Sequence, residues 1–264
     1  MFDDSRGRGR IGVVVPYTNT NLEPDLTAMR PDGVSMHFTR IAGYELNCAP
    51  NTSTMQALGN APMDASIDLL TAIRPDIILY GCTSATLALG RRADLALAIR
   101  LTAYSGLPVV TASNAVINAL TDIAVSKIVI CTPYDHQLSE VTTKFFEDSG
   151  FNVISVSRIE KVLDSLGQGA ISCDEITRLA LKADQQKAEA IVIVCTDLRA
   201  VECINTIESL TGKPVISSNQ ALLYAATKVL GVSRITIPGT LGNNRVACDR
   251  KPTRVSGLAP ISAQ

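Results

Sequence analysis

The sequence of 264 residues contains no tryptophan, and aromatic residues make up only 4% of it. Proteins that bind single-stranded nucleic acid stack the bases on aromatic side chains, and this chain has few of them. Lysine and arginine (24) almost equal aspartate and glutamate (25), so no net charge attracts nucleic acid or an anionic membrane. No apolar run approaches the roughly 20 residues that a membrane-spanning helix needs. The composition therefore predicts a protein without a nucleic-acid or membrane partner.

Sequence patterns for cofactors and metals are also missing. No GxGxxG follows the first apolar segment and no P-loop pattern occurs, so nucleotide binding has no support. The chain has two histidines, His37 and His136, and no CxxC pair, so it lacks the usual ligand pattern of a zinc site. Its seven cysteines accompany a polar N-terminus, MFDDSRGRGR, that does not resemble a secretory signal. We therefore expect no cofactor, no metal and a cytoplasmic protein whose thiols stay reduced.

Two cysteines stand where an apolar segment ends and a helical pattern begins. The stretch Asp76–Ser84, DIILYGCTS, indicates a buried parallel strand that runs into Cys82, with Ser84 as the predicted N-cap of the next helix. The stretch Ala190–Asp197, AIVIVCTD, repeats this design with Cys195, and a helical pattern again follows. Open α/β sheets bind their ligands beyond the carboxyl ends of the strands, which is where both thiols are predicted to lie.

Two further segments recur in the same order. RIGVVVPYT, with Tyr17, matches KIVICTPYD, with Tyr134, and LPVVTASNA matches KPVISSNQ. Three matched elements in one order indicate two similar halves, each a little over a hundred residues long. We therefore predict an α/β fold of two pseudo-symmetric Rossmann-like domains, each with a parallel sheet flanked by helices. A pseudo-twofold axis between them would place Cys82 and Cys195 on opposite walls of an interdomain cleft, which is the predicted active site.

Two opposed thiols suit a particular chemistry. The start of a helix supplies free N–H groups and a positive dipole end, which stabilise a thiolate. One thiolate can remove a proton or attack carbon from one face, while the opposite thiol delivers a proton from the other face. This arrangement performs racemisation, epimerisation or cis–trans isomerisation without a cofactor. The remaining cysteines are interpreted as packing or incidental residues: Cys48, Cys131, Cys173, Cys203 and Cys248.

Three expectations concern the rest of the chain. Residues 174–188 predict an amphipathic helix before the Cys195 strand, and residues 158–169 predict a loop or a short helix. The loop after the first strand, PYTNTNLEPDL, offers many short polar groups and is interpreted as a turn and N-cap or as a ligand contact. From about Pro238 the composition is loop-like, so residues 238–264 are predicted to form a flexible tail or an arm on another subunit.

The segments VPYTNTNLE, YGCTSATLALG, TPY, VCTD and SSN together resemble the aspartate/glutamate racemase superfamily, and within it the clade of maleate cis–trans isomerase and arylmalonate decarboxylase. The resemblance covers residues 10–240. It implies that Cys82 and Cys195 are the catalytic pair and that Cys82 adds to an alkene. It also implies a site for carboxylate oxygens, and the residues that it assigns to substrate binding are Asn19, Thr83, Ser84, Tyr134 and, through its backbone, Thr196.

The family fold exchanges elements between its halves. This implies a first domain of residues 10–105 joined by residues 214–237, and a second domain of residues 106–213. Two departures from the family pattern bear on the substrate. Maleate isomerases usually follow the first cysteine with apolar residues, whereas Thr83-Ser84 follows it here. The Asp-Asn pair of their second half has its nearest counterpart in Asp164-Ser165.

The predicted function is a cofactor-independent isomerase that acts through two cysteines on a small carboxylate, such as maleate converted to fumarate, in a homodimer or homotetramer. Four alternatives stay open at this point. An amino-acid or hydantoin racemase would use the same two thiols, and an arylmalonate-type decarboxylase would protonate its product with Cys195 alone. A two-lobed solute-binding or sensor protein would need neither thiol, and a cysteine hydrolase would need His136 beside one of them.

Overall fold

A computed structural model of the chain describes residues 7–43, 48–232 and 237–243. Cys248 and residues 244–264 of the predicted tail lie outside these ranges. Within them, no helix is both long enough and apolar enough to cross a membrane.

Two parallel sheets, each with four strands, form the centres of the two halves. The strands of the first sheet are β1 (Gly9–Pro16), β2 (Val34–Ile41), β3 (Ile77–Tyr80) and β4 (Val109–Thr111), in the spatial order β2-β1-β3-β4. Those of the second sheet are β5 (Lys127–Thr132), β6 (Asn152–Arg158), β7 (Ala190–Ile193) and β8 (Val215–Ser217), in the order β6-β5-β7-β8. The shared order confirms the predicted α/β fold with two similar halves.

The central strands form where short runs of β-branched apolar residues occur. Every residue of β3 (IILY) and of β7 (AIVI) is buried. A parallel strand covered on both faces needs such a continuous apolar run. The edge strand β2 is different, since most of its residues are half-buried, which fits the alternating pattern of its sequence.

Helices cover both sheets. In the described ranges they are α1 (Leu22–Ala28), α2 (Thr52–Asn60), α3 (Asp64–Thr71), α4 (Thr83–Leu89), α5 (Arg91–Ser105), α6 (Ala112–Asp122), α7 (His136–Glu147), α8 (Ser165–Gly169), α9 (Cys173–Ala183), α10 (Ile204–Thr211), α11 (Ser218–Leu230) and α12 (Gly239–Asn243), with a 3-10 turn at Val201–Cys203. The polar loops at the carboxyl ends of β1 and β7 meet at the contact between the two halves.

Helix α9 is shorter than the predicted helix over residues 174–188. Its start is fixed by a capping box, in which the Ser172 hydroxyl accepts a hydrogen bond from the Glu175 N–H and the Glu175 carboxylate accepts one from the Ser172 N–H. Its end comes at Ala183, because Asp184 leaves the helical conformation (ψ 135°) and pairs with the Lys213 ammonium. The last predicted residues of the helix therefore form the turn into β7.

The strand pairing corrects the predicted exchange between the halves. β4 pairs with β3 and β8 pairs with β7, so each short last strand stays in the sheet of its own half. A right-handed crossover delivers each of these strands beside its immediate predecessor. The helices that follow do reach across, since α6 packs against α11, and α11 also contacts α1, β3 and β4. The division into domains at the proposed boundaries stays a prediction.

The first residues of the predicted tail are ordered on the second half. The Gly239 N–H donates to Asn205 Oδ1 (2.9 Å), and the Thr240 N–H donates to the Glu208 carboxylate (3.0 Å). These bonds hold α12 against α10, so a loop-like composition did not exclude a short anchored helix.

Candidate active site

Cys82 lies directly after β3 and is the N-cap residue of α4, with an extended backbone (φ −131°, ψ 97°). Ser84, the predicted N-cap, lies inside the first turn instead, because the chain enters the helix as soon as the strand ends. Cys82 is 3% exposed, and its Sγ is 3.7 Å from the Ser84 Oγ. The first thiol is therefore buried at the positive end of a helix.

Cys195 lies directly after β7, but no helix starts there. The chain makes a turn in which the Leu198 N–H donates to the Cys195 carbonyl, and α10 begins only at Ile204. The prediction of a helix directly after Cys195 is thus wrong. The predicted stabilisation of this thiol by the start of a helix is wrong for the same reason. The Asp197 N–H donates to the Cys195 Sγ (3.4 Å), and the Sγ donates to Gln168 Oε1 (3.8 Å).

The surroundings give the two thiols different acidities. Burial raises the pKa of both, and that of Cys195 reaches about 12, with the Asp197 carboxylate as the next cause. At Cys82 the first opposing effects are hydrogen bonds from the Ala85 N–H and from Ser84, which lower the pKa of that thiol against the effect of burial. At Cys195 the opposing hydrogen bonds come from the Asp197 N–H and from Tyr134. Only Cys82 lies at the start of a helix.

Both thiols lie near the same tyrosine. Tyr134, which follows β5, is buried, and besides burial a negative charge on either thiol raises the pKa of its hydroxyl. A charge on Cys82 also raises the pKa of Cys195. The structure therefore brings Cys82, Cys195 and Tyr134 together, while their chemical roles stay predictions.

Asn19 and Thr196, two predicted substrate-binding residues, contact each other across the halves. Asn19 Nδ2 donates to Thr196 Oγ1 (3.1 Å), and Thr196 Oγ1 donates to the Gly81 carbonyl (3.0 Å). The Asn19 Oδ1 accepts from the N–H groups of Asn21 (3.1 Å) and Leu22 (2.9 Å). These bonds fix the loop after β1 beside the segment that precedes Cys82.

Two predicted substrate-binding hydroxyls have no partner in the described part of the chain. Thr83 Oγ1 is buried and makes no hydrogen bond, and the Tyr134 hydroxyl is buried beside the Cys195 thiol and Ser84 without a partner at hydrogen-bond distance. The Ser84 hydroxyl is engaged with the Met55 Sδ (3.0 Å). Because a buried hydroxyl without a partner is unfavourable, two such donors in one cleft are the pattern expected of a site that binds an anionic group.

Asp197 is a residue of this site that the sequence analysis quoted but gave no role. Its Oδ1 accepts hydrogen bonds from the N–H groups of Thr20 (2.8 Å) and Asn21 (3.1 Å). Asn21 Nδ2 donates in return to the Asp197 carbonyl (2.7 Å). Burial raises the pKa of Asp197, and the bonds from Thr20 and Asn21 oppose that effect. The sequence contained a hint of this contact, since the polar segments around Thr20 and Asp197 each follow a central strand, β1 and β7.

The side chain of Asn219 also holds the segment that follows Cys195. Asn219 Nδ2 donates to the Thr196 carbonyl (3.0 Å) and to Asp25 Oδ2 (2.7 Å). Asp25 is buried, and burial raises its pKa to about 6 although the bond from Asn219 lowers it. Asn219 belongs to the SSN segment that carries the resemblance, but nothing in the sequence paired it with Asp25.

The region around Asp164-Ser165 contributes a different residue from the one expected. Asp164 is the N-cap of α8 and accepts a hydrogen bond from the Gly167 N–H (2.7 Å). Gln168, from the same short helix, is the residue that reaches the Cys195 thiol. No sequence pattern pointed to Gln168, because the contact joins residues 27 positions apart in the chain.

The remaining candidates lie away from the thiols or serve packing. His136 is at the exposed start of α7 and lies 3.4 Å from the Glu140 carboxylate, so it is not the base that a cysteine hydrolase needs. Cys131 and Cys203 are buried, and Cys48 and Cys173 are half-buried. The described residues contain no group of three or more His, Cys, Asp or Glu side chains that could hold a metal ion.

Comparison with known proteins gives a consistent result. The family model described as arylmalonate decarboxylase (Amdase) matches residues 11–240 of this chain. A maleate isomerase of Nocardia farcinica is 28% identical over 243 residues, which cover 88% of this chain and 94% of that protein.

Solved structures are similar over nearly the whole chain. A variant of a maleate isomerase from Pseudomonas putida, crystallised with maleate, has a TM-score of 0.82 at 22% identity and covers 89% of this chain and 98% of its own. A variant of the Nocardia farcinica maleate cis–trans isomerase, with a covalently bound succinylcysteine intermediate, also has a TM-score of 0.82 at 22% identity, covering 90% and 99%. These likenesses show the fold.

Proposed function

Because the chain belongs to the arylmalonate decarboxylase family, as its match over residues 11–240 shows, we propose that it is a two-cysteine isomerase that converts maleate to fumarate without a cofactor. The observation that carries the proposal is the pair of buried thiols, Cys82 and Cys195, at matched strand ends of the two halves and facing one cleft. The maleate isomerase with 28% identity supports the same substrate.

The reaction needs one nucleophile and one acid. The Cys82 thiolate adds to one alkene carbon of maleate and forms a carbon–sulfur bond, while the alkene electron pair takes the proton of the Cys195 thiol at the neighbouring carbon. The result is a succinyl group on Cys82, in which a single bond joins the central carbons and allows rotation. The Cys195 thiolate then takes back a proton, the Cys82 thiolate leaves, and the alkene re-forms as fumarate. A succinylcysteine is the intermediate named in the Nocardia structure.

The environments of the thiols fit these two roles. The pKa of Cys195, at about 12, keeps this group protonated until substrate is present, and the Gln168 Oε1 orients its S–H. Cys82, beside Ser84 and the Ala85 N–H, has the donors that a nucleophilic thiolate needs.

The carboxylates of the substrate are bound by the polar groups around the thiols. The unpartnered hydroxyls of Thr83 and Tyr134 donate to carboxylate oxygens, assisted by Ser84, and each such bond to a charged group contributes about 1.5–3 kcal/mol. Asn19 and the backbone at Thr196 complete the site. This assignment is also the reason for choosing a small dicarboxylate, since Thr83 and Tyr134 offer two buried donors for carboxylate oxygens.

Two features favour a decarboxylase as the second candidate. The family model carries that description, and Thr83-Ser84 departs from the apolar residues usual in maleate isomerases. Against it stands Cys82, because decarboxylation needs one thiol and a second one would racemise the product. An amino-acid or hydantoin racemase would use both thiols and differs from the proposal in substrate alone.

The cellular setting is part of the proposal. We place the protein in the cytoplasm with reduced thiols, as a homodimer or homotetramer, with a small carboxylate and no nucleic acid or membrane as its partner. The support is its balanced charge and its cysteines, six of which are free thiols among the described residues.

Proton NMR of the purified protein with maleate in deuterium oxide tests this function. We expect the alkene signal of maleate to be replaced by that of fumarate, with or without a chelator. Cys82→Ala and Cys195→Ala should each abolish turnover, while the control variant Cys173→Ala, at a half-buried thiol, should keep it. Mass spectrometry of Cys195→Ala with maleate should detect a succinyl adduct on Cys82.

Parallel incubations with arylmalonates and with single enantiomers of amino acids separate the alternatives. Release of carbon dioxide from an arylmalonate, with maleate unchanged, would replace the proposal by decarboxylation. Full activity of Cys82→Ala on maleate would refute the two-thiol mechanism.

A further inference from the structure

Tyr80, the last residue of β3, has a hydroxyl that the fold leaves without a partner. The residue is 0% exposed, and within the described chain its hydroxyl makes no hydrogen bond. Buried tyrosine hydroxyls usually find an acceptor, because an unpaired one loses its hydrogen bonds to water without replacement. A phenylalanine at this position would avoid that cost, so the hydroxyl calls for an explanation.

The backbone places Tyr80 beside the first thiol. Tyr80 and Cys82 are two residues apart in extended chain, so their side chains lie on the same side of the strand. Gly81 between them packs closely on Leu22, where a Cβ would overlap the leucine side chain, and its N–H donates to the Val14 carbonyl (2.9 Å). The tyrosine and the cysteine are therefore held side by side.

We propose that the Tyr80 hydroxyl donates a hydrogen bond to the Cys82 sulfur when that thiol ionises, and that it is a catalytic residue which makes Cys82 a competent nucleophile. The catalytic role of Tyr80 rests on the proposed function, whereas its hydrogen bond to the Cys82 sulfur does not. A neutral thiol is a weak acceptor and leaves the hydroxyl unpaired, whereas a thiolate is a strong one. The unpaired state of the resting protein is then relieved when the nucleophile forms.

The charges near Cys82 make such a donor necessary. The titratable groups that face Cys82 or Tyr80 from the surrounding elements are Cys195, Tyr134, Asp197 and Asp94. None of these is a cation, and His37 is occupied with Ser35 on the edge strand β2. The donors beside a Cys82 thiolate are the Ala85 N–H, Ser84 and Tyr80, all of them neutral.

The acid–base properties of the pair agree with this geometry. Burial raises the pKa of Cys82, and a hydrogen bond from Tyr80 to the ionised sulfur is one of the effects that oppose it. The charge of the thiolate in turn adds to the effect of burial on the pKa of Tyr80. Burial holds the pKa of Tyr80 well above its ordinary value. Burial therefore favours the protonated hydroxyl, which is the form that can donate a hydrogen bond.

Tyr80→Phe tests the assignment, with Tyr224→Phe as the matched control. Tyr224 is a buried tyrosine on α11 whose ring lies over the Lys228 ammonium, a contact that phenylalanine keeps. The rate of iodoacetamide alkylation at Cys82, followed by peptide mass spectrometry against pH, reports the thiolate without any turnover. In Tyr80→Phe we expect this rate to fall about tenfold or more below the thiol pKa, and the midpoint to move to higher pH. Tyr224→Phe should follow the wild type.

Stability and turnover separate a catalytic role from a structural one. Because Tyr80→Phe removes an unpaired hydroxyl, its free energy of unfolding should equal or exceed that of the wild type, while kcat on maleate falls and KM stays the same. An unchanged alkylation profile, or a loss of stability that accounts for the slower alkylation, would overturn the inference. If the wild type does not convert maleate but the alkylation profile still shifts, the proposed function fails and the pairing of Tyr80 with Cys82 stands.

Discussion

The backbone of Cys195 lies in a region that residues with a side chain rarely adopt, with φ at 146°. Such a conformation costs about 1–3 kcal/mol and persists where the surroundings hold it. Here the Cys195 N–H donates to the Ser218 Oγ (3.3 Å), and the sulfur accepts from the Asp197 N–H (3.4 Å). No helix starts at Cys195, so the position of its thiol is set by this strained backbone conformation and its two hydrogen bonds.

Replacement of Cys195 by glycine and by alanine measures this strain. Both variants lose the thiol, but glycine tolerates the positive φ, so Cys195→Gly should unfold with a free energy about 1 kcal/mol higher than that of Cys195→Ala. Denaturant unfolding gives the difference. Cys82, with φ at −131°, is the control, and there the glycine variant should be the less stable one. An alanine variant more stable than the glycine variant at position 195 would contradict the strain.

The two unpartnered hydroxyls of the site give the next prediction. Thr83→Val and Tyr134→Phe remove only the hydroxyls, so maleate binding should weaken by about 1.5–3 kcal/mol in each variant without loss of stability. Kinetics over a range of maleate concentrations give KM, and thermal unfolding gives stability. Thr52→Val is the control, since Thr52 also has a buried unpartnered hydroxyl but lies on α2. Unchanged KM in both site variants would remove these residues from substrate binding.

Among the elements, α5 carries a carboxyl group into the core. Asp94 is 0% exposed, and neither of its oxygens has a hydrogen-bond partner in the described chain; the Arg91 guanidinium is 3.7 Å away. Burial raises its pKa from 3.8 to about 6, against the effects of Thr111 and Arg91. The folded state therefore binds this proton more tightly than the unfolded state does. The stabilising contribution is complete below pH 3.8 and is lost as the pH rises through about 6.

Asp94→Asn should remove this loss. At neutral pH the variant should be more stable than the wild type by up to about 3 kcal/mol, and the decline of stability between acid and neutral pH should become shallower. Part of the decline should remain, because burial also raises the pKa of Asp25 to about 6. Urea unfolding at several pH values measures the slope. Asp94→Ala removes the same charge but leaves a void, so it should gain less, and a slope as steep as that of the wild type in Asp94→Asn would contradict the prediction.

The elements show what the sequence could predict and what it could not. The central strands could be predicted from short apolar runs that recur, since every residue of β3 and β7 is buried. The end of α9 and the turn after Cys195 were missed, because Asp184 and Asp197 leave the helical pattern to bond residues distant in sequence, Lys213 and Thr20. Local pattern carries no information on such partners.

The same limit holds for the candidate site. Cys82 and Cys195 could be found because each recurs in a repeated segment, and Thr83 and Tyr134 because the family resemblance named them. Gln168 could not, as its role is a single contact with the Cys195 thiol. Tyr80 was hidden for another reason, since within an apolar strand a tyrosine is interpreted as a packing residue.

At the scale of the molecule, the two halves are joined across the cleft by buried polar bonds. Asn19 binds Thr196, and Asp197 binds the N–H groups of Thr20 and Asn21, each pair 176 or 177 residues apart in the chain. Such bonds hold the loop after β1 of the first half against the loop after β7 of the second. Since the second of these loops carries Cys195, the geometry of the thiols depends on the contact between the halves.

Asp197→Ala tests that dependence. The variant leaves the N–H groups of Thr20 and Asn21 without their acceptor, so we expect a loss of about 1–3 kcal/mol in stability and faster amide hydrogen exchange at these two residues. Turnover should fall, because Cys195 is then less firmly placed. Asp135→Ala is the control, since the Asp135 carboxylate accepts from the Leu138 N–H within one half (2.8 Å); it should cost similar stability yet leave exchange at Thr20 and Asn21 unchanged. If Asp197→Ala also left that exchange unchanged, Asp197 would not hold the halves together, and the position of Cys195 would have to be attributed to β7 and Ser218 alone.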